Sequence, residues 1–175
     1  MVEAIKAWNA AGIFVVWANG NEGYSLGCNS VRFPANIGLD LFAVGATDVN
    51  DNLADFSSRG PGIESGIIKP SIVAPGVSIV SASFYDDISL AYFSGTSMAA
   101  PHVAGVVALL LTNGTELTFG EMSNFLFESA SHTVPPTGKN CGGISETEYP
   151  NNAVGYGRIT AAGAIAKLLE SRGKF

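Results

Sequence analysis

Charge is scarce in this chain. Only 14% of its 175 residues are charged, against roughly 25% in an average soluble domain, and acids outnumber bases by 15 to 9. There is no dense run of Lys and Arg, and the formal net charge is −6, which excludes a nucleic-acid backbone as ligand. Long apolar runs are lacking too. The longest, Val103 to Leu111, falls far short of the roughly 20 residues that span a bilayer, so the chain carries no membrane segment. The opening MVEAIKAWNAAG lacks the basic-then-apolar layout of a signal peptide. Met1 is equally compatible with a start inside a longer precursor, so this end does not report location. There are two cysteines, Cys28 and Cys141, and neither has a second Cys or a His at ligand spacing, which excludes a zinc site. They are either two unrelated thiols or one disulfide, and the second reading implies an oxidising compartment.

What is abundant is apolar side chain (47%) and glycine (21 residues). So little charge on so apolar a chain implies extensive burial, against a large core, a partner, or a missing part of the same domain. Val2, Ile5 and Trp8 recur at helical spacing over residues 2–11, and Gly12 closes that helix. Ile13 to Ala18 is an unbroken run rich in branched residues, the pattern of a strand buried on both faces, and Leu41 to Ala46 repeats it. Ser71 to Ala74 and Val77 to Ala82 follow as strands, interrupted by Pro75-Gly76. From Thr96 to about Asn113 the sequence is apolar nearly all round, which predicts a buried central helix with Gly105 allowing another backbone close. Thr118 and Glu121 have capping-box spacing ahead of a helix reaching Ala130, and Thr160 opens a last helix. Residues 132–157, rich in Pro, Gly and Asn, read as one long loop. Short buried strands alternating with helices make this an α/β chain with a mainly parallel sheet, one domain or a large piece of one over residues 1–175.

The chemistry concentrates in Phe93-Ser94-Gly95-Thr96-Ser97-Met98-Ala99-Ala100-Pro101-His102-Val103-Ala104-Gly105. Ser97 sits where an extended segment turns into an apolar helix. The unpaired N–H groups of a first helical turn can stabilise an oxyanion forming there, and Gly95 leaves room for a substrate backbone. On Gly95 to Met98 alone, a serine that merely caps the helix explains the pattern as well. A second segment, Val15-Val16-Trp17-Ala18-Asn19-Gly20-Asn21-Glu22-Gly23, ends a strand with two loop asparagines, either of which could donate an amide N–H.

Gly95 to Gly105 closely resembles the nucleophile signature of the subtilisin-like serine proteases over eleven contiguous positions. It is unlike the G-x-S-x-G elbow of α/β-hydrolases, because Ala99 stands where the second glycine would be. Arg32-Phe33-Pro34-Ala35, Leu41 to Asp48, Phe56 to Pro61, Ile72 to Val77 and Asn151 to Ile159 resemble further family segments, in family order. The resemblance implies a three-layer subtilisin-like fold, incomplete for want of the first strands, with Ser97 as nucleophile. Its Gly-Asn-Glu-Gly spacing gives the oxyanion-hole role to Asn21. It places Ala18, Asn19 and Gly20 along one wall of the primary specificity pocket, Glu22 at its rim, and Gly95 and Thr96 beside the substrate. Arg32 falls near the pocket base, pointing inward to an acidic side chain or outward as a surface charge. Ala35, Ile37 and Asp40 correspond to a weak cation site of backbone carbonyls, with calcium as a structural ion and no cofactor required.

The resemblance also exposes a gap. A serine hydroxyl needs a base, and the family's Asp-Thr-Gly-like and His-Gly-Thr-like segments are absent. His102 lies five residues after Ser97, about 140° around the helix, and is expected to point into packing. His132 reads as a surface histidine. The chain is therefore expected to be the C-terminal part of a peptidase domain. Its partners would be a peptide or protein substrate and the missing N-terminal half, and it would be inactive alone. A secreted or extracytoplasmic place is expected for the parent. The alternatives are a natural fragment or pseudoenzyme that binds peptides, and, more remotely, a serine hydrolase of another fold.

Overall fold

Six consecutive buried residues, Phe42 to Thr47, form the middle strand of the sheet that organises the molecule. A computed structural model describes residues 1–38, 41–63, 66–112 and 116–173. Strands β1 (Val16–Ala18), β2 (Phe42–Thr47) and β3 (Ile72–Pro75) pair in parallel in that order, with Val16 opposite Phe42 and Val44 opposite Ile72. Parallel pairing buries both faces, and alternate residues go to opposite cores. Phe42, Val44 and Ala46 meet helices α3 (Thr96–Leu111), α4 (Phe119–Glu128) and α5 (Ala161–Glu170) through Val103, Met122 and Leu168. On the other face Ala43 and Trp17 meet Ile5 of helix α1 (Val2–Ala10) and the segment holding Val31 and Ala35. Helices cover both sides of a parallel sheet, the three-layer α/β arrangement.

Several expectations need correction. Pairing begins only at Val16, and β1 is half-buried, with Ile13 at 53% exposure, because it is an edge of the sheet among the described residues. Val77 to Ala82 does not extend the parallel sheet: β4 (Ile79–Ala82) pairs antiparallel with β5 (Leu90–Phe93) in a separate, exposed ribbon. Helix α3 buries one face only; Ala104, Gly105, Ala108, Leu109 and Leu111 are exposed, and an added Cβ on Gly105 would meet nothing within 4 Å. No described backbone approaches Gly105. The expected helix end at Asn113 lies outside the described residues.

The capping box is formed as read: Thr118 Oγ1 accepts from Glu121 N at 3.2 Å while Glu121 Oε2 accepts from Thr118 N at 2.8 Å. Thr160 stands before α5 without capping it, since its hydroxyl donates to Ser129 O at 2.8 Å. The long loop holds one 3₁₀ turn, Cys141–Gly143, and is pinned beside β3, where Val73 N donates to Gly157 O and Ile159 N to Val73 O. Cys28 and Cys141 are bonded to each other, tying that loop to the segment following helix α2 (Gly23–Leu26). Lys69 is buried: this pushes its amine down to about 8, and Nζ donates to Leu41 O at 2.7 Å. Among the described residues no helix is long and apolar enough to cross a membrane.

Candidate active site

The carboxyl ends of the three parallel strands face the start of α3, the position where open α/β sheets place ligands. Gly76, just past β3, makes the junction. Its N–H donates to Thr47 O at 2.9 Å, and its own carbonyl accepts from Gly95 N at 2.8 Å. A Cβ on Gly76 would lie 2.7 Å from Ala46 Cβ and 2.8 Å from Gly95 O, so only glycine lets the helix seat this closely. Ser97 is the second residue of that helix and is exposed. The N-cap is Gly95 and no side chain caps the helix, so Ser97 is not there as a cap. Its N–H belongs to the first turn and has no intrahelical acceptor. Pro101 has no N–H to offer Ser97 O four residues back, which leaves that carbonyl free as well.

Beside it, the amide of Asn21 has a defined orientation. Oδ1 accepts from Thr96 N at 2.9 Å and from Thr96 Oγ1 at 3.0 Å, which leaves Nδ2 as a free-facing donor. Nδ2 and Ser97 N border one small gap: a Cβ added to Gly95 would lie 3.5 Å from the first and 3.7 Å from the second. Asn19 is differently used. It is fully buried, and its Nδ2 donates to Ser58 O at 2.6 Å. The structure thus separates two asparagines that are alike in sequence: one amide is consumed and the other faces Ser97.

The loop between them is braced by a residue that sequence reasoning passed over, Ser58. Its N–H donates to Gly20 O at 3.0 Å, and its hydroxyl accepts from Glu22 N and donates to Glu22 Oε2, both at 3.1 Å. Glu22 Oε2 also accepts from Asn21 N at 2.9 Å. The other carboxylate oxygen lies 3.7 Å from Arg32 Nε, and the Arg32 side chain is 57% exposed, so Arg32 faces outward as a surface charge. Gly20, at φ +109°, donates to Thr96 Oγ1 at 3.2 Å, so the loop that carries Asn21 also touches α3 directly. No sequence signal links Ser58 to this loop, because the contacts span 36 residues or more.

No base meets Ser97 Oγ among the described residues. His102 is exposed rather than packed, a correction to the expectation. Its Nδ1 meets Met98 O at 2.9 Å, which holds the ring against the preceding turn of the helix. It borders, with Ser97, Met98 and residues 79–81 of β4, an open cleft of about 350 Å³. His132 is exposed and stacks on Tyr149 at 3.8 Å. Of the cation-site residues, Ala35 is buried and Ile37 packs beside it, so both offer only main-chain carbonyls, while Asp40 lies outside the described residues. No group of three or more His, Cys, Asp or Glu that could hold a metal occurs among the described residues.

Comparison with known proteins gives this geometry its context. Bacillopeptidase F of Bacillus subtilis (strain 168) is 37% identical over 98% of this chain, which spans 11% of that protein. Subtilisin DY of Bacillus licheniformis is 39% identical over 74% of this chain and 44% of its own length. Among solved structures, the prenylagaramide maturation protease PagA superposes with a TM-score of 0.72 at 29% identity, over 95% of this chain and 55% of that one. The self-cleaved protease domain of PatA gives the same score at 27% identity, over 96% and 54%. The chain thus spans about half, or less, of the length of these relatives. Residues 1–157 match the subtilase family, peptidase S8, and it is to this family that the chain belongs.

Proposed function

We propose that this chain supplies the nucleophile and the oxyanion donors of a serine endopeptidase. Ser97 Oγ attacks the carbonyl carbon of the scissile peptide bond, and the carbonyl oxygen takes up the negative charge. The Asn21 amide and the Ser97 N–H donate to that oxygen. The tetrahedral intermediate collapses to an acyl-enzyme on Ser97 as the amine leaves with a proton, and water then releases the acyl group. The observation that carries this reading is the shared gap beside Gly95, bordered by Asn21 Nδ2 and Ser97 N. The Ala18 to Gly20 main chain forms a wall of the specificity pocket in this reading. The peptidase membership of the chain supports a peptide or protein as substrate.

In this reading the proton acceptor and its orienting acid come from segments outside this chain. The lack of a base beside Ser97 among the described residues, the uncovered apolar face of α3 and the cleft beside Ser97 support a domain completed by further sequence. The disulfide supports an extracytoplasmic place for the whole protein. Calcium stays a proposal without a ligand set, and no step depends on it. The lack of a base beside Ser97 among the described residues is also what the alternative, a natural fragment or pseudoenzyme that binds peptides without turnover, would show. Reading the open reading frame around this chain separates the two: Asp-Thr-Gly-like and His-Gly-Thr-like segments upstream are expected for the protease, and their absence sinks it.

A further inference from the structure

Ser58 is fully buried, and every polar group it has is turned to the loop from Asn19 to Glu22. Its carbonyl accepts from Asn19 Nδ2, its N–H donates to Gly20 O, and its hydroxyl both accepts from Glu22 N and donates to Glu22 Oε2. That same carboxylate oxygen accepts from Asn21 N. We propose that Ser58 is a positioning residue of the catalytic site, acting through the Glu22 carboxylate to hold the main chain of Asn21 while Thr96 holds its side chain.

The packing supports a clamp rather than a passive contact. A Cβ on Gly20 would lie 2.8 Å from both Ser58 Oγ and Glu22 Oε2, so the loop closes on the hydroxyl as tightly as glycine permits. The neighbouring Ser57 is equally buried but turns its hydroxyl the other way, accepting from Ala46 N of β2 at 3.0 Å. Loss of the Ser58 hydroxyl strips Glu22 N of its acceptor and the carboxylate of one of its two hydrogen-bond donors. Asn21 then keeps its side-chain anchor but loses a fixed main chain. A small displacement of an oxyanion donor weakens transition-state stabilisation more than substrate binding. Glu22 becomes an inward brace in this account, which leaves only its outer oxygen for the pocket rim.

The proposal rests on Asn21 being an oxyanion donor, so the loop is tested separately from turnover. In ¹⁵N-labelled chain, Ser58→Ala is expected to lower the backbone order parameters of Asn21 and Glu22 from the roughly 0.85 of rigid backbone toward 0.6. Ser57→Ala, which disturbs β2 instead, leaves them unchanged. Glu22→Ala, at the half-exposed end of the relay, gives the same loosening should Ser58→Ala not fold, and the double variant adds nothing to either single one. In an active protein containing this chain, Ser58→Ala lowers kcat by about tenfold or more with KM within twofold. Unchanged order parameters in both single variants, or equal loosening by Ser57→Ala, overturn the clamp. Loosening without any loss of kcat on Asn21→Ala overturns the oxyanion reading and leaves the clamp standing.

Discussion

Thr96 decides which way the Asn21 amide faces. Its N–H and its hydroxyl both donate to Asn21 Oδ1, so the only orientation that satisfies both turns Nδ2 toward the gap bordered by Ser97 N. Asn19, two residues earlier, spends the equivalent nitrogen on Ser58 O. In an active protein containing this chain, Asn21→Ala is expected to lower kcat by roughly 10²–10³-fold with KM little changed. That figure is the one established for such a donor in subtilisin, a relative, and steady-state kinetics on a peptide substrate check it.

Gly95→Ala separates folding from function. The backbone there is extended, at φ 161° and ψ 161°, and the nearest atoms to the new Cβ are at ordinary contact distance. Stability should be unchanged or raised by up to about 1 kcal/mol, as the unfolded chain loses freedom. The methyl occupies the gap between Asn21 Nδ2 and Ser97 N proposed to receive the oxyanion, so turnover should fall by about 10²-fold or more. Denaturant melts and kinetics on the same preparation test both halves; lost stability with retained turnover contradicts the placement.

The disulfide closes a long loop, Cys28 and Cys141 having a sequence separation of 113. Replacing both cysteines by serine is expected to cost roughly 3–5 kcal/mol of unfolding free energy, chiefly by freeing the unfolded chain. Urea titration of wild type and variant measures it, and a difference below about 1 kcal/mol contradicts the assignment.

Lys69 predicts an unusual pH dependence. Its amine, ordinarily near 10.5, is held at about 8 by burial. Between these values the unfolded chain binds more protons than the folded one, so stability rises as pH increases from about 8 to 10.5. The gain is up to about 3 kcal/mol, and it should vanish in Lys69→Met, where no ammonium has to be desolvated. Urea midpoints across that range, compared between the two proteins, isolate the contribution of this residue.

What was legible in the sequence was local. Leu41 to Ala46 announces itself as a buried strand, found at Phe42–Thr47, and Thr118 with Glu121 closes its capping box three residues apart. Gly95 to Gly105 carries its meaning contiguously. Contacts between distant segments were not legible. Ser58 braces a loop 36 residues away, and nothing in Phe56-Ser57-Ser58 distinguishes it from Ser57. Apolar composition showed that α3 must be covered, but not that the described residues cover only one of its faces. The ribbon of β4 and β5 lacks the Asn-Gly or Asp-Gly turn that marks a tight hairpin; Asp86 stabilises its tip instead by accepting from Ile88 N and Ser89 N.

The central proposal is that Ser97 and Asn21 supply a nucleophile and an oxyanion donor, with no base beside Ser97 among the described residues, and an organophosphonate probe tests it directly. Incubated with the isolated chain, the probe should leave Ser97 unlabelled. In a protein that also contains the missing segments it should label stoichiometrically and be abolished by Ser97→Ala. Rapid stoichiometric labelling of Ser97 in the isolated chain would contradict the account, since the chain would then have to supply its own base.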